Sequence, residues 1–254
     1  MELEGPVVAV HAHPDDESIT TGGLLAKASA MGFRTVVVTC TVGDVGPNRT
    51  GVNRLADARA EELHAALTIL GVSRGIQLGY RDSGLAGWPD NDHPASFHAA
   101  ASGEAAQKVA AILHEERPRL VVTYGPDGGY GHPDHVKAHR VTLEAFHRAG
   151  LPGRLYAVVF PRRWLRRFTE LSRNAGVEAR EPALLGVDDL ESPPGFGTPD
   201  GAPVEELDVG AFVEAKRAAV AAHATQMDGH VLTRLPAGVL KEIWSREFYL
   251  PLKN

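Results

Sequence analysis

The chain has 254 residues, which is long enough to bury the core of one large α/β domain without disulfides or a structural metal. Its formal net charge of −6 gives no sign of the basic surface that a nucleic-acid partner requires. A single cysteine, Cys40, excludes an internal disulfide framework and is typical of a reducing compartment. We expect Cys40 to fill the core, because it follows the apolar run 36–39.

The first residues, Met1–Glu4, are acidic where a secretory signal needs positive charge, and no apolar run approaches membrane-spanning length. We therefore expect a cytoplasmic protein without a membrane partner. The composition leaves the oligomeric state open, and a homo-oligomer is compatible with it.

The first half of the chain alternates short β-branched runs with helical patterns. The predicted strands are 7–10, 34–40, 75–78 and 120–124, and the predicted helices are 22–32, 55–70, 104–116 and 133–147. This alternation predicts an α/β fold, namely a Rossmann-like, mostly parallel sheet with helices on both faces.

The pattern is less regular from about residue 150. We predict a strand at 155–160, a helix at 164–172, an irregular connection at 191–203, a long helix at 209–227 and a final strand or tail at 247–250. Because no composition shift marks a boundary, we expect residues 1–254 to form a single domain.

Two histidine-aspartate clusters follow predicted strands. One is His13-Pro14-Asp15-Asp16-Glu17 and the other is His132-Pro133-Asp134-His135. Since open α/β sheets place ligands beyond the carboxyl ends of their strands, we expect the clusters to meet. Imidazole and carboxylate are the ligands of a catalytic zinc that keeps one position open for water. The sequence thus predicts a divalent metal site, with zinc preferred and iron or manganese as alternatives.

Each cluster has a simpler interpretation when it is taken alone. Asp15, Asp16 and Glu17 would also be favourable at a helix N-terminus, and histidines in the second cluster would also be ordinary surface residues. Two such clusters at adjacent strand ends favour the metal site. A turn through Pro14 would point the two aspartates in different directions, one toward metal and one toward water.

The second cluster opens a helix, where His132 and His135 would share a face and Asp134 would orient an imidazole through its second nitrogen. We expect the other histidines to be solvated or on helix faces, namely His64, His93, His98, His114, His139 and His147. For His223 packing is favoured, with a site role left open.

The clusters carry a family resemblance. Ala12-His13-Pro14-Asp15-Asp16-Glu17 and Gly131-His132-Pro133-Asp134-His135 resemble the signature of the LmbE-like, or PIG-L, family of zinc-dependent N-acetylglucosaminyl deacetylases. Further segments occur in the family's order and spacing, namely 41–46, 59–63, 70–72, 82–84 and 222–226. Tyr130 makes the chain most similar to the branch that contains the mycothiol-pathway deacetylase and its amidase relative.

The resemblance implies a role for each matching position. The zinc ligands would be His13, Asp16 and His135. Asp15 would be the general base, and His132, held by Asp134, would stabilise the oxyanion or protonate the amine. Tyr130 would assist at the oxyanion, while Arg59 and Asp82 would bind the sugar. The resemblance leaves open whether Asp44 and His223 contact the substrate.

The predicted function is that of a hydrolase in which water activated by zinc attacks the amide of an N-acetylglucosamine-type glycoside, such as a precursor of a low-molecular-weight thiol. The partner is then a small acetylated amino-sugar. One alternative is an amidase on thiol-adduct conjugates, and another is a non-catalytic sugar- or nucleotide-binding module. Asp15 argues against the binding module, because such a module needs no base beside three metal ligands.

Overall fold

The computed structural model describes residues 1–187 and 190–252. Their strands form one seven-stranded sheet with the order β3-β2-β1-β4-β5-β7-β6. The strands are β1 (Val7–His11), β2 (Thr35–Thr41), β3 (Arg74–Tyr80), β4 (Leu120–Tyr124), β5 (Arg154–Val158), β6 (Glu205–Asp208) and β7 (Arg246–Pro251). The first five strands are parallel, and β7 and β6 join the edge in antiparallel pairs.

The helices of the described residues are α1 (Asp16–Ala30), α2 (Leu55–Ile69), α3 (Ser102–Glu116), α4 (Gly128–Gly131), α5 (Pro133–Ala149), α6 (Arg162–Asn174), α7 (Val213–Ala222), α8 (Ala224–Met227), α9 (Val231–Arg234) and α10 (Ala237–Trp244). Short 3₁₀ turns lie at Pro89–Asp92, Glu181–Leu185 and Gly210–Phe212. None of these helices combines the length and the apolar character that crossing a membrane demands.

The central strands β1, β2 and β4 are buried at every residue. Helices cover both faces of the sheet, because right-handed crossovers place α1 and α2 on one side and α3 and α5 on the other. Continuous apolar runs are what such strands require, which is why the sequence predicted them. The α/β fold with a mostly parallel sheet is confirmed.

Two predictions for the second half of the chain are wrong. Strand β6 was missed, since its sequence is Glu-Glu-Leu-Asp and it lies at an edge where one face meets water. The long helix at 209–227 is broken at His223, whose backbone (φ −83°, ψ 57°) is not helical. The Glu62 carboxylate accepts the Thr225 N–H at 2.7 Å, which replaces a helical hydrogen bond after the break.

The six histidines that we expected to be solvated or on helix faces are placed so. His64, His93, His98, His114 and His147 are exposed. His139 is buried on helix α5, and its Nδ1 lies 2.8 Å from the Tyr124 carbonyl oxygen. Cys40 is fully buried in the core, as predicted.

The strand order positions the site. From β1 the chain passes to β2 on one side, whereas β4 lies on the other side, so the carboxyl ends of β1 and β4 form the switch point of the sheet. The first cluster follows β1 and opens α1, and the second cluster precedes α5. Residues more than a hundred positions apart therefore become neighbours.

Candidate metal centre and pocket

The first cluster turns sharply between β1 and α1. Asp15 has φ 119° and ψ −32°, a conformation that residues with a side chain rarely adopt. Asp16 begins α1, and its Oδ2 accepts hydrogen bonds from the His13 N–H at 2.8 Å and from the Tyr124 hydroxyl at 2.6 Å. Because the strand β4 supplies Tyr124, the sheet itself fixes the Asp16 carboxylate.

The second cluster fixes its two imidazoles through backbone groups. His135 Nδ1 lies 3.0 Å from the Gly128 carbonyl oxygen, which can only accept, so Nδ1 carries the proton and Nε2 presents a lone pair to the site. His132 Nδ1 accepts the Asp134 N–H at 3.1 Å, so the proton of a neutral His132 lies on Nε2. The two rings thus have opposite tautomers.

Three side chains bring possible donor atoms to one point, and Asp16 faces the two histidines with different oxygens. His13 Nδ1 lies 3.2 Å from His135 Nε2 and 3.3 Å from Asp16 Oδ2, and His135 Nε2 lies 3.5 Å from Asp16 Oδ1. Ligands about 2.1 Å from a tetrahedral zinc are about 3.4 Å from one another. All three side chains are buried. The donor set therefore fits a tetrahedral ion with a fourth position open.

His13 also faces a second group of carboxylates. Its Nε2 lies 3.3 Å from Asp134 Oδ2 and 3.5 Å from Asp82 Oδ1, and these groups with His132 form another cluster of possible donors. The N–H of Ser83 and its hydroxyl already donate to Asp134, at 2.9 and 2.5 Å. A carboxylate on the far nitrogen of a ligating histidine is the usual supporting contact, so this arrangement favours metal on Nδ1.

One predicted contact is corrected by this geometry. We expected the Asp134 carboxylate to hold His132, but that carboxylate accepts hydrogen bonds from Ser83 and lies against His13. His132 is instead held by the backbone N–H of Asp134. At the start of a helix the N–H points back toward the N-cap residue, whereas the side chain is free to turn to another neighbour.

Charges around the site set its protonation states. Burial raises the pKa of Asp15 to about 6, against the opposing effect of Arg59. Burial lowers the pKa of His132 well below its usual value, and His13 and His135 add to the effect. His132 is therefore neutral near pH 7, with an Nε2–H to donate.

Arg59 and Asp82 occupy the wall of the site. The Arg59 guanidinium lies 3.2 Å from Asp15 Oδ2 and donates to the carbonyl oxygens of Gly43 and Pro14. Burial opposes ionisation of Asp82, but His13 outweighs it and lowers the pKa of this carboxyl. Asp82 also accepts the Gly84 N–H at 2.8 Å.

These groups open into a cavity of about 450 Å³. Seven predicted site residues line it, namely His13, Asp15, Asp16, Arg59, Asp82, Tyr130 and His132. The cavity wall also contains residues that the sequence analysis missed, among them Val45, Leu85, Trp88, Leu185, Val187 and Gln226. They come from several segments, and Gln226 belongs to the family-like segment 222–226, whereas nothing in the sequence indicated Leu185 and Val187.

Asp44 and His223 lie outside the described lining of this cavity. Asp44 accepts hydrogen bonds from Arg81 and from the Asp82 N–H. His223 Nε2 lies 2.8 Å from Glu17 Oε1.

Comparisons with known proteins give a consistent result. Residues 8–146 match the family model PIG-L, described as GlcNAc-PI de-N-acetylase. A 1D-myo-inositol 2-acetamido-2-deoxy-alpha-D-glucopyranoside deacetylase from Thermobifida fusca is 39% identical over 96% of this chain and 91% of its own length. The enzyme of the same name from Saccharomonospora viridis is 40% identical over 95% and 92%. The N,N'-diacetylchitobiose deacetylase of Pyrococcus horikoshii shares the fold, with a TM-score of 0.60, 21% identity and coverage of 97% and 83%.

Proposed function

Because the chain belongs to the PIG-L family of de-N-acetylases, we propose that it is a metal-dependent hydrolase that releases acetate from an N-acetylglucosaminide. The family resemblance seen in the sequence is thereby confirmed. The observation that carries the proposal is the meeting, at one cavity, of three metal donors, a carboxylate and an imidazole N–H. A binding module would need only part of this set.

The metal ligands in this proposal are His13, Asp16 and His135, and the proposed ion is zinc. When bound, the ion acts as a Lewis acid that polarises the amide carbonyl and makes hydroxide available near neutral pH. The donor geometry supports the assignment, since His13 Nδ1 and His135 Nε2 are separated as tetrahedral ligands are and each lies at a similar distance from one oxygen of Asp16.

Asp15 acts as the general base. Its carboxylate is on the cavity wall, and a pKa of about 6 leaves it largely ionised at neutral pH yet basic enough to take a proton from the attacking water. The ion pair with Arg59 orients the carboxylate. After the attack, the protonated Asp15 can return its proton to the departing amine.

His132 donates a hydrogen bond to the oxyanion. Its neutral ring carries a proton on Nε2, because Nδ1 is occupied by the Asp134 N–H. Removing such a donor typically lowers kcat by about 10²–10³. Burial raises the pKa of Tyr130 well above its ordinary value, so its phenol stays protonated and is a second donor at the same wall.

The substrate that we propose is a small glycoside of N-acetylglucosamine, in which a second ring is linked to the sugar. The named substrate of the T. fusca and S. viridis relatives is a glycoside of this kind. The cavity volume lies within the range of small-molecule sites, about 300–1,000 Å³.

The experiment measures acetate and free amine released from N-acetylglucosaminyl-inositol by the zinc-loaded protein. We expect one acetate per amine formed, with Asp15→Asn lowering kcat by at least about 10³ while zinc stays bound. Release of amine from a cysteinyl amide without any acetate from the glycoside would contradict the deacetylase and support the amidase.

The ligand set is tested by metal content. His135→Gln should lose zinc, whereas His139→Gln, a buried histidine one turn further along α5, should retain it. Asp16→Asn should also lose zinc, and Asp82→Asn should keep it. The reverse result for the two aspartates would place the ion on the Nε2 side of His13.

A further inference from the structure

Asp15 has a strained backbone, and a strained residue persists only where its surroundings hold it in place. One contact is the ion pair with Arg59, which acts on the carboxylate. The backbone is held on both sides, because the Asp15 carbonyl oxygen accepts the N–H groups of Ser18 and Ile19 and the Asp15 N–H donates to Glu17 Oε2 at 3.0 Å. On the N–H side, the position of Asp15 depends on where the Glu17 side chain lies.

Glu17 is fixed from a distant part of the chain. Its other oxygen, Oε1, accepts the Ser18 hydroxyl at 2.5 Å and the Nε2–H of His223 at 2.8 Å. Glu17 and His223 are both 0% exposed. The chain between α7 and α8 leaves helical geometry at His223, the point where the ring meets Glu17.

Neither residue belongs to the described cavity lining, so neither is placed to touch the substrate. A buried pair of this kind is also a poor stabiliser, because desolvation of two ionisable groups offsets most of their attraction. The pair instead fixes the Glu17 carboxylate, which accepts the hydrogen bond from the N–H of the strained Asp15.

We propose that Glu17 and His223 form a positioning pair that holds Asp15 in its strained conformation and so aims the Asp15 carboxylate into the cavity. The inference rests on the proposed function in one respect, that Asp15 acts as a base. Without His223, Glu17 is free to move, the Asp15 backbone relaxes to an ordinary conformation, and the carboxylate turns away from the reacting water.

The kinetic test compares His223→Ala with His223→Gln. We expect His223→Ala to lower kcat by about 10–100-fold with KM and zinc affinity within about threefold, since a misplacement near 1 Å has effects of this size. His223→Gln retains an amide N–H that can donate to Glu17, so it should recover part of the lost kcat. Zinc affinity is measured by competition with a chelator.

Lys216→Met is the matched control. Lys216 lies on the same helix α7 and forms a buried ion pair with Glu247 at 2.6 Å, and Glu247 accepts two N–H groups of α1. The control disrupts a buried pair between α7 and β7 that also contacts α1, without touching Asp15. It should lower Tm but leave kcat unchanged. If His223→Ala and Lys216→Met had the same Tm and lost kcat to the same extent, the proposal would be overturned.

A second test needs no catalysis. Replacing Asp15 by Gly or by Ala removes the carboxylate in both cases, but only Gly tolerates the strained backbone. We expect the unfolding equilibrium constant of Asp15→Ala to exceed that of Asp15→Gly by about fivefold or more in the otherwise native chain.

In the His223→Ala background this difference should shrink to about twofold or less, because the backbone at position 15 is then free to relax. An unchanged difference would overturn the positioning pair. A failure of the wild-type protein to release acetate would instead refute the proposed function and leave this backbone test standing.

Discussion

Trp88 is a large aromatic side chain that stays 45% exposed on the wall of the cavity. Its indole packs against Gly84, where a Cβ atom would lie 2.7 Å from Cε3. Asn91 fixes the loop, since its amide donates to the Ser83 and Leu85 carbonyl oxygens and its Oδ1 accepts the Gly87 N–H. The ring face is thus in place before a ligand arrives.

We predict that Trp88→Ala raises KM for N-acetylglucosaminyl-inositol by about 3–10-fold with kcat within about twofold. The reason is that an aromatic face contributes contact with a bound ring but takes no part in proton transfer. Initial rates over a range of substrate concentrations give both constants.

Tryptophan fluorescence provides the control. The chain has three tryptophans, and Trp244 is only 4% exposed. Glucosaminyl-inositol should change the emission of the wild-type protein, and Trp88→Phe should abolish the change while keeping KM near the wild-type value. An unaltered ligand response in Trp88→Phe would mean that the ligand does not approach this ring.

At the scale of elements, the sequence predicted the strands best where they are completely buried. Strands β1, β2 and β4 have helices on both faces, so most of their residues are apolar or small and the run is visible in the sequence. Edge strand β6 has no such requirement. The break at His223 was invisible for another reason, since its causes, Glu17 and Glu62, lie in α1 and α2.

The residues of the site likewise divide into those that the sequence predicted and those that it did not. His13 and His135 were recognisable because imidazole beside carboxylate at a strand end has few other uses. Trp88 and Gln226 reach the cavity from loops whose conformation depends on tertiary contacts, such as the bond from Gln226 to the Pro47 carbonyl oxygen. The contact of the Asp134 carboxylate was mispredicted because we assigned it to His132, a neighbour in sequence. In the structure this carboxylate contacts Ser83 and His13.

Helix α3 is tied to the sheet by a carboxylate between two arginines. The Glu116 carboxylate accepts hydrogen bonds from Arg34 at 2.6 Å and from Arg74 at 2.8 Å. Arg34 lies just before β2, and Arg74 is the first residue of β3. The Arg34 guanidinium holds the pKa of Glu116 below its ordinary value, against the opposing effect of burial. Glu116 therefore stabilises the fold when it is ionised.

We predict that Glu116→Gln lowers Tm by about 3 °C at pH 7. Because the folded pKa lies below the unfolded value of about 4.5, the stabilisation is present above that pH and is lost as the pH falls through the folded pKa. The difference between wild type and Glu116→Gln should thus become smaller as the pH falls below about 4.5. Thermal unfolding followed by circular dichroism at pH 7 and pH 3 measures it.

Glu115→Gln is the control for this element. Glu115 is 61% exposed at its side chain and contacts the same Arg74, so its loss should change Tm by less than about 1 °C at either pH. A Glu116→Gln deficit as large at pH 3 as at pH 7 would show that packing of the side chain, and not its charge, is what stabilises α3.

At the scale of the whole molecule, the proposed metal site exists only when the sheet is formed. His13 and His135 are 122 positions apart, and they meet because β1 pairs with β4. The Tyr124 hydroxyl, which donates to Asp16, and the Gly128 carbonyl oxygen, which accepts from His135, orient the donors within the fold. An ion should therefore bind the native state far more tightly than the unfolded chain.

Metal binding should accordingly raise the stability of a protein that is already folded without it. At a zinc concentration of about 100 times Kd the stabilisation is about 2.7 kcal/mol, which for a chain of this size raises Tm by about 5–10 °C. We expect the metal-stripped protein to keep its helical circular dichroism, and its Tm to rise with the logarithm of zinc concentration. Asp16→Asn should abolish the rise, while Lys216→Met should start from a lower Tm and show the same rise. A Tm that did not respond to zinc, or that responded equally in Asp16→Asn, would contradict a site built from the two strand ends.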